Sequence, residues 1–249
     1  MAIERARSRT RERRFLHVAM EYVEGQTLAQ WMTDNPRPEL EKVRRIIEQI
    51  ARGLQAFHRM EMLHQDIRPD NIMVDKTGTV KIIDFGSVKV PGVLEATPLA
   101  EDSGILGTAQ YTAPEYFLGE GGSPGSDLFS LGVIAYQMLT GRLPYGSQVA
   151  RTRTKSQQRK LRYRSAIHDG REIPAWIDGA LKRAVHPDPD KRYQELSEFI
   201  FELRHPNATY LNAKPAPLLE RNPLLFWQCL SAILAGVIVA LLAFQHFGR

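Results

Sequence analysis

A single cysteine, Cys229, occurs in 249 residues. It has no partner for a disulfide within the chain and no thiolate neighbours for a zinc site, and this fits a reducing compartment. The arginine-rich start, with Arg5, Arg7, Arg9, Arg11, Arg13 and Arg14, is not followed by an apolar stretch of signal-peptide length, so residues 1–14 read as a basic segment and not as a leader. No aromatic series interleaves those arginines, and single-strand nucleic-acid binding needs stacking platforms, so no nucleic-acid partner is expected. Residues 151–164 contain no acid at all against Arg151, Arg153, Lys155, Arg159, Lys160, Arg162 and Arg164. A run of this kind is either a solvated loop or helix face, or a patch for anionic lipid or an acidic protein. Leu224 to Phe244 carries no charge over 21 residues. No internal repeat is present.

What is there is the balance of a globular protein: 43% hydrophobic and 24% charged residues, with a net charge of +5. Phe15 to Val23 predicts a strand. Pro38 opens a helix with Glu39 and Glu41 in its first turn, where negative charge suits the helix dipole. Leu40, Val43, Ile46, Ile47, Ile50, Leu54 and Phe57 then recur at three and four residues, the core stripe of an amphipathic helix. The short runs Ile72–Val74 and Val80–Ile83, separated by a glycine-containing turn, predict a hairpin. Residues 85–115 hold no period and predict a long functional loop. Helical pattern returns at Asp127–Leu139, at Ile177–Val185 and from Tyr193 to Leu203. Residues 205–223, with four prolines, read as a linker. At 1.5 Å per residue, Leu224–Phe244 matches the roughly 30 Å hydrocarbon core of a bilayer and predicts one transmembrane helix with Trp227 near an interface. Only residues 245–249 follow it, as a short tail.

The chemistry lies in the polar stretches. Residues 64–71 read His-Gln-Asp-Ile-Arg-Pro-Asp-Asn, and residues 84–86 read Asp-Phe-Gly. Taken singly, Asp66 is a turn residue, Asp84 a strand end and Asn71 a helix cap. Their order is more specific. Ala113-Pro114-Glu115 follows at a fitting distance, then Asp127-Leu128-Phe129-Ser130-Leu131-Gly132, then Arg192 after His186-Pro187-Asp188-Pro189.

This ordered set resembles the eukaryotic-type Ser/Thr protein kinases. The resemblance runs from about Phe15 to Leu203. Further similarity lies in Glu24-Gly25-Gln26-Thr27-Leu28, the Gln-containing catalytic loop, the basic insert, Leu218–Pro223 and the terminal apolar run. It is to bacterial bifunctional kinase/phosphatases with a C-terminal membrane anchor, although nothing in this chain matches a phosphatase domain. The resemblance implies a mainly α fold with small β hairpins: the large lobe of a kinase, lacking most of the small lobe, plus one transmembrane helix. Its divisions would be a basic segment 1–14, a kinase domain 15–204, a linker 205–223, a transmembrane helix 224–244 and a tail 245–249.

The same resemblance implies roles. Asp66 would orient the acceptor hydroxyl and take its proton. Arg68, where the family usually has lysine, would contact the γ-phosphate, and its planar fork would alter the geometry. Asn71 and Asp84 would hold Mg²⁺, and Thr108 would bridge Asp66 to its basic neighbour. ATP would meet the backbone of Glu21 and Val23 at a hinge, with Met73 under the adenine. Asp127 would hold the catalytic-loop backbone, Glu115 and Arg192 would form a buried pair, and His64 would pack as a structural residue. Gln65 replaces the arginine that commonly receives an activation-loop phosphate, so activity is expected not to depend on phosphate at Ser87, Thr97, Ser103 or Thr108. The chain has neither a Gly-x-Gly-x-x-Gly loop nor the strand lysine of the family. The expectation is therefore a truncated Ser/Thr kinase acting on a protein substrate, or an inactive membrane-anchored interaction module. Its localisation would be single-pass membrane with the kinase domain in the cytoplasm, and anionic lipid is a possible partner at 151–164.

Overall fold

The structure, a computed structural model, describes residues 21–88, 108–168, 172–206 and 223–247, with the side chains of Thr108, His168, Pro223, Leu225, Val237 and 239–247 excepted. The chain divides into two compact units, Met1–Asn207 and Ala208–Arg249. Each is described on its own.

In the first unit, β1 (Gly25–Thr27) leads directly into α1 (Leu28–Asp34). Thr27 caps that helix by accepting from the Gln30 N–H at 3.2 Å. The expected strand at Phe15–Val23 is corrected in its described part. Residues 21–24 are irregular, and pairing begins at Gly25. Register explains the shift: Gly25 lies opposite Asp75, and a Cβ there would stand 2.4 Å from the Val74 carbonyl oxygen, so only glycine admits the approach. Residues 15–20 lie outside the described residues.

The amphipathic stripe forms α2 (Leu40–Arg59), two residues later than Pro38 because Glu39 keeps an extended backbone and serves as the N-cap. Val43, Ile46, Ile47, Ile50, Ala51 and Leu54 are its buried face. Each fully buried Ile or Leu contributes about 1.5–3 kcal/mol by leaving water. The hairpin is present as β2 (Ile72–Asp75) and β3 (Val80–Ile82), giving a three-stranded antiparallel sheet in the order β1-β2-β3. Its turn closes on one carboxylate: Asp75 Oδ1 accepts from the N–H groups of Thr77 and Thr79, both at 2.8 Å, while Gly78 takes φ +84°.

The expected loop at 85–115 contains 3₁₀ turns at Thr108–Gln110 and, running past its end, Pro114–Leu118; residues 89–107 lie outside the described residues. Then α3 (Pro124–Thr140) crosses the centre of the unit. Every residue from Ser126 to Leu139 except Gln137 is buried, so this helix has no solvent face. It stops at Gly141, which takes the left-handed conformation at φ +71°. A side chain at Gly132 would meet Val185 Cγ1 at 2.9 Å and Ala184 Cβ at 3.0 Å, which lets α3 lie close to α5 (Ala175–Ala184). Between them in sequence, the basic run contains one short helix, α4 (Lys155–Gln158), and is otherwise largely turn and irregular backbone. Helix α6 (Leu196–Arg204) closes the unit, packing on α2 and α5. Arg204 ties α6 to α2, donating to Glu48 Oε2 at 2.7 Å and to Glu41 Oε1 at 3.1 Å.

The second unit contains α7 (Pro223–Phe247), an uninterrupted helix of 25 residues. Among its described side chains Leu224, Trp227, Ile233, Leu234 and Ile238 are exposed. The expected transmembrane span is not carried by the described residues, among which no helix is long and apolar enough to cross a membrane. Much of the C-terminal half of α7 has side chains outside them. The expected linker at 205–223 lies outside the described residues from 207 to 222.

Candidate active site

Asp127, one turn into the buried helix α3, organises the loop that follows α2. Its Oδ2 accepts from the His64 N–H at 3.0 Å and its Oδ1 from the Gln65 N–H at 2.9 Å. His58, in the last turn of α2, reaches the same Oδ2 through Nε2 at 2.9 Å. One carboxylate therefore fixes two successive peptide groups, and Gln65 can hold the unfavourable φ of +67°.

Immediately beyond, Asn71 Nδ2 donates to both the carbonyl oxygen and the Oδ2 of Asp66, each at 2.9 Å. Asn71 is buried and Asp66 half-buried. Its amide oxygen stays available as an acceptor, because the bonds to Asp66 use only the NH₂ end. The main chain then carries the site onward: the Asn71 carbonyl accepts from the Ile83 N–H at 2.8 Å, which places Asp84 at the end of the same hairpin. Asp84 has φ +63° and is exposed; its Oδ1 accepts from the Gly86 N–H at 3.1 Å.

Phe85 stacks on Phe57 with centroids 5.4 Å apart and meets the His64 ring edge-on at 6.1 Å. His64 is fully buried, and neither ring nitrogen makes a hydrogen bond among the described residues. Burial pushes its pKa below the ordinary histidine value, against the opposing pull of Asp127, Asp66 and Asp84. A buried imidazole packed beside both phenyl rings is a packing residue, as expected from sequence.

Residues 64–71 and 84–86 thus form one assembly. The fit to magnesium rests on its donors: the free amide oxygen of Asn71 and the outer oxygen of Asp84 are hard ligands of the type Mg²⁺ takes. Among the described residues no group of three His, Cys, Asp or Glu side chains is arranged around a metal. Magnesium needs no such cage, since it keeps water and shares phosphate oxygens.

Residues 2–203 match the protein kinase domain family. The chain belongs to that family. It is 33% identical over 212 residues to a probable serine/threonine-protein kinase PknB of Bifidobacterium longum, covering 85% of this chain and 30% of that protein. It is 30% identical over 189 residues to the serine/threonine-protein kinase PrkC of Bacillus subtilis, with 76% and 28% covered. Against a serine/threonine-protein kinase PknA of Corynebacterium glutamicum it is 40% identical over 131 residues, with 53% and 27% covered. The chain therefore spans less than a third of the length of these relatives.

The other expected site residues of the kinase domain fall differently. Arg68 is turned onto Asp70, donating from Nε at 3.0 Å and from a terminal nitrogen at 2.5 Å to the same Oδ2. Thr108 opens a 3₁₀ turn, and its side chain lies outside the described residues. The Glu21 side chain is ion-paired with Lys81. Glu21, Val23 and Lys81 line one shallow cavity of about 370 Å³, and Met73, half-buried on β2, lies outside it. Glu115 and Arg192 do meet, buried and bidentate at 2.8 and 2.7 Å. Sequence reasoning missed His58 and Asp70. The first is spaced six residues from His64 on a helix end, the second two from Arg68, and neither spacing is diagnostic without the fold.

Proposed function

We propose that the kinase domain transfers the γ-phosphoryl group of ATP to a serine or threonine hydroxyl of a protein. The observation that carries this reading is the Asp66–Asn71 pair, held beside Asp84 on a loop that Asp127 fixes. Asp66 accepts the proton of the attacking hydroxyl and aims its oxygen. Asn71 holds Asp66 by its amide NH₂ and offers its oxygen to magnesium, together with Asp84. Magnesium, when bound, neutralises charge on the phosphates. Arg68 supplies positive charge near the transferred group once it parts from Asp70, and Thr108 takes the role of linking it to Asp66. The adenine would meet the backbone of Glu21 and Val23.

The test is phosphoryl transfer from ATP to a Ser/Thr-containing protein by the purified full chain, with Asp66→Asn as control. A general base contributes about 10²–10⁴-fold, so the variant should lose at least that much. Equal label transfer by both proteins would end the reading. No transfer by either, with ATP bound normally, would favour an interaction module.

We also propose that residues 224–244 anchor the protein in a membrane as a single span, with the kinase domain on the ATP-rich cytoplasmic side. Support comes from their chargeless sequence, the unbroken helix α7 and its exposed apolar side chains. Release of the full chain from membranes by alkaline carbonate would overturn this.

A further inference from the structure

Gln65, the neighbour of Asp66, has φ +67°, and Asp127 holds its N–H at 2.9 Å. Its side chain reaches toward the 3₁₀ turn Pro114–Leu118. A Cβ built at Gly122 would stand 3.1 Å from Gln65 Nε2 and 2.0 Å from the Tyr116 hydroxyl. The amide and the hydroxyl therefore front one small space, which only glycine at 122 leaves open.

The Tyr116 hydroxyl is buried and completes no hydrogen bond among the described residues. A buried hydroxyl left unpaired is costly, so its surroundings matter. Burial first, and the Asp127 carboxylate second, push the phenol above its ordinary pKa, while hydrogen bonding by Ser126 and Gln65 pulls the other way. The phenol thus keeps its proton at neutral pH. Ser126 Oγ donates to Glu115 Oε1 at 2.7 Å and accepts from the Ser123 N–H at 3.0 Å. Its second lone pair has only a long contact with the Ser123 hydroxyl, at 3.5 Å, and can accept from the tyrosine. Glu115 in turn is the buried partner of Arg192.

We propose that Gln65 is a positioning residue: its carboxamide donates to the Tyr116 hydroxyl, which donates to Ser126, and so braces the loop bearing Asp66 against the Glu115–Arg192 pair. Asp66 follows Gln65 directly, so slack at one residue passes to the other. Catalytic hydrogen bonds commonly tighten only when the substrates are in place, and this brace closes with nucleotide bound. Its purpose, aiming Asp66, rests on the kinase reading; the brace itself does not.

The experiment compares the full chain with Tyr116→Phe, Gln65→Met and the double variant, all in excess MgATP. Both substitutions keep the length and shape of the side chain and remove only its polar group. Hydrogen exchange of the 62–71 segment, read by mass spectrometry, should quicken about threefold to tenfold in either single variant and no further in the double. Turnover should follow: kcat on a Ser/Thr-containing protein falls about fivefold to tenfold with KM for ATP unchanged, again without addition in the double, because the two groups act through one bond. Effects that multiply in the double variant would overturn the proposal, as would unaltered exchange in both single variants. A lowered urea midpoint with unaltered kcat of the folded protein would reduce the contact to packing and overturn it too. Because exchange needs no turnover, a chain whose exchange responds as stated but which transfers no phosphate would sink the kinase reading and leave the brace standing.

Discussion

Replacing Arg192 with alanine should unfold most of the protein. The side chains of Arg192 and Glu115 are 0% and 4% exposed, and their two bonds are 2.8 and 2.7 Å. Ser126 Oγ donates a third bond to Glu115 at 2.7 Å, so the carboxylate is fully engaged only while charged. Removing one member of such a pair leaves an uncompensated buried charge, which costs about 3–5 kcal/mol. Arg192 also donates to the carbonyl groups of His186, Gly125 and Pro187, at 2.7, 2.8 and 3.2 Å. Each carbonyl left unpaired adds about 1 kcal/mol or more. The sum rivals the whole stability of a domain, about 5–15 kcal/mol. Urea unfolding of the full chain, followed by the fluorescence of Trp31 and Trp176, measures it. A loss under about 1 kcal/mol would mean that the pair behaves as a surface ion pair, and the reasoning from burial would be refuted. Acid should act through the same group. Burial alone would raise the Glu115 pKa, but its bonds and attraction to Arg192, with help from Ser126, outweigh this and hold it below 4.5. A carboxylate depressed in the folded state contributes stability that is fully present above its unfolded pKa and fades as pH falls through the folded one. The wild type should therefore weaken below about pH 4.5, and Glu115→Gln should lose that portion of the acid sensitivity.

Further outcomes follow from the same contacts. Asp127→Ala should lower phosphoryl transfer by about 10²-fold, because the backbone at His64 and Gln65 loses its acceptor and Asp66 drifts; unaltered turnover would show that the loop holds itself. Leu54→Ala, in the buried face of α2, should cost about 2–5 kcal/mol in urea unfolding. Gly25→Ala should destabilise by about 1–3 kcal/mol through its clash with the Val74 carbonyl, again read by urea. Chelating magnesium with EDTA should abolish transfer, and excess Mg²⁺ should restore it in the wild type but poorly in Asp84→Asn, measured as initial rate against metal concentration.

Much of the layout was written in local pattern. The stripe from Leu40 to Phe57, the Asp75–Thr79 turn and the order His-x-Asp, Asn, Asp-Phe-Gly are short-range signals, since helix period, turn chemistry and loop motifs act over a few residues. Helix α3 was legible for the same reason, although its sequence does not say that every face would be covered. The short helix α1 went unread because seven residues give too little period to separate a helix from a loop.

The sequence alone determined the longer helices, the hairpin and the order of the motifs, because propensity and spacing are properties of the chain. Tertiary structure decided who meets whom. Asp127 reaches back 63 residues to hold His64, Arg192 crosses 77 to pair with Glu115, and Arg68 turns to Asp70. The hydrogen bond is short-ranged and directional, so these partnerships exist only once α2, α3 and the hairpin have packed and brought distant residues within 3 Å or so of one another.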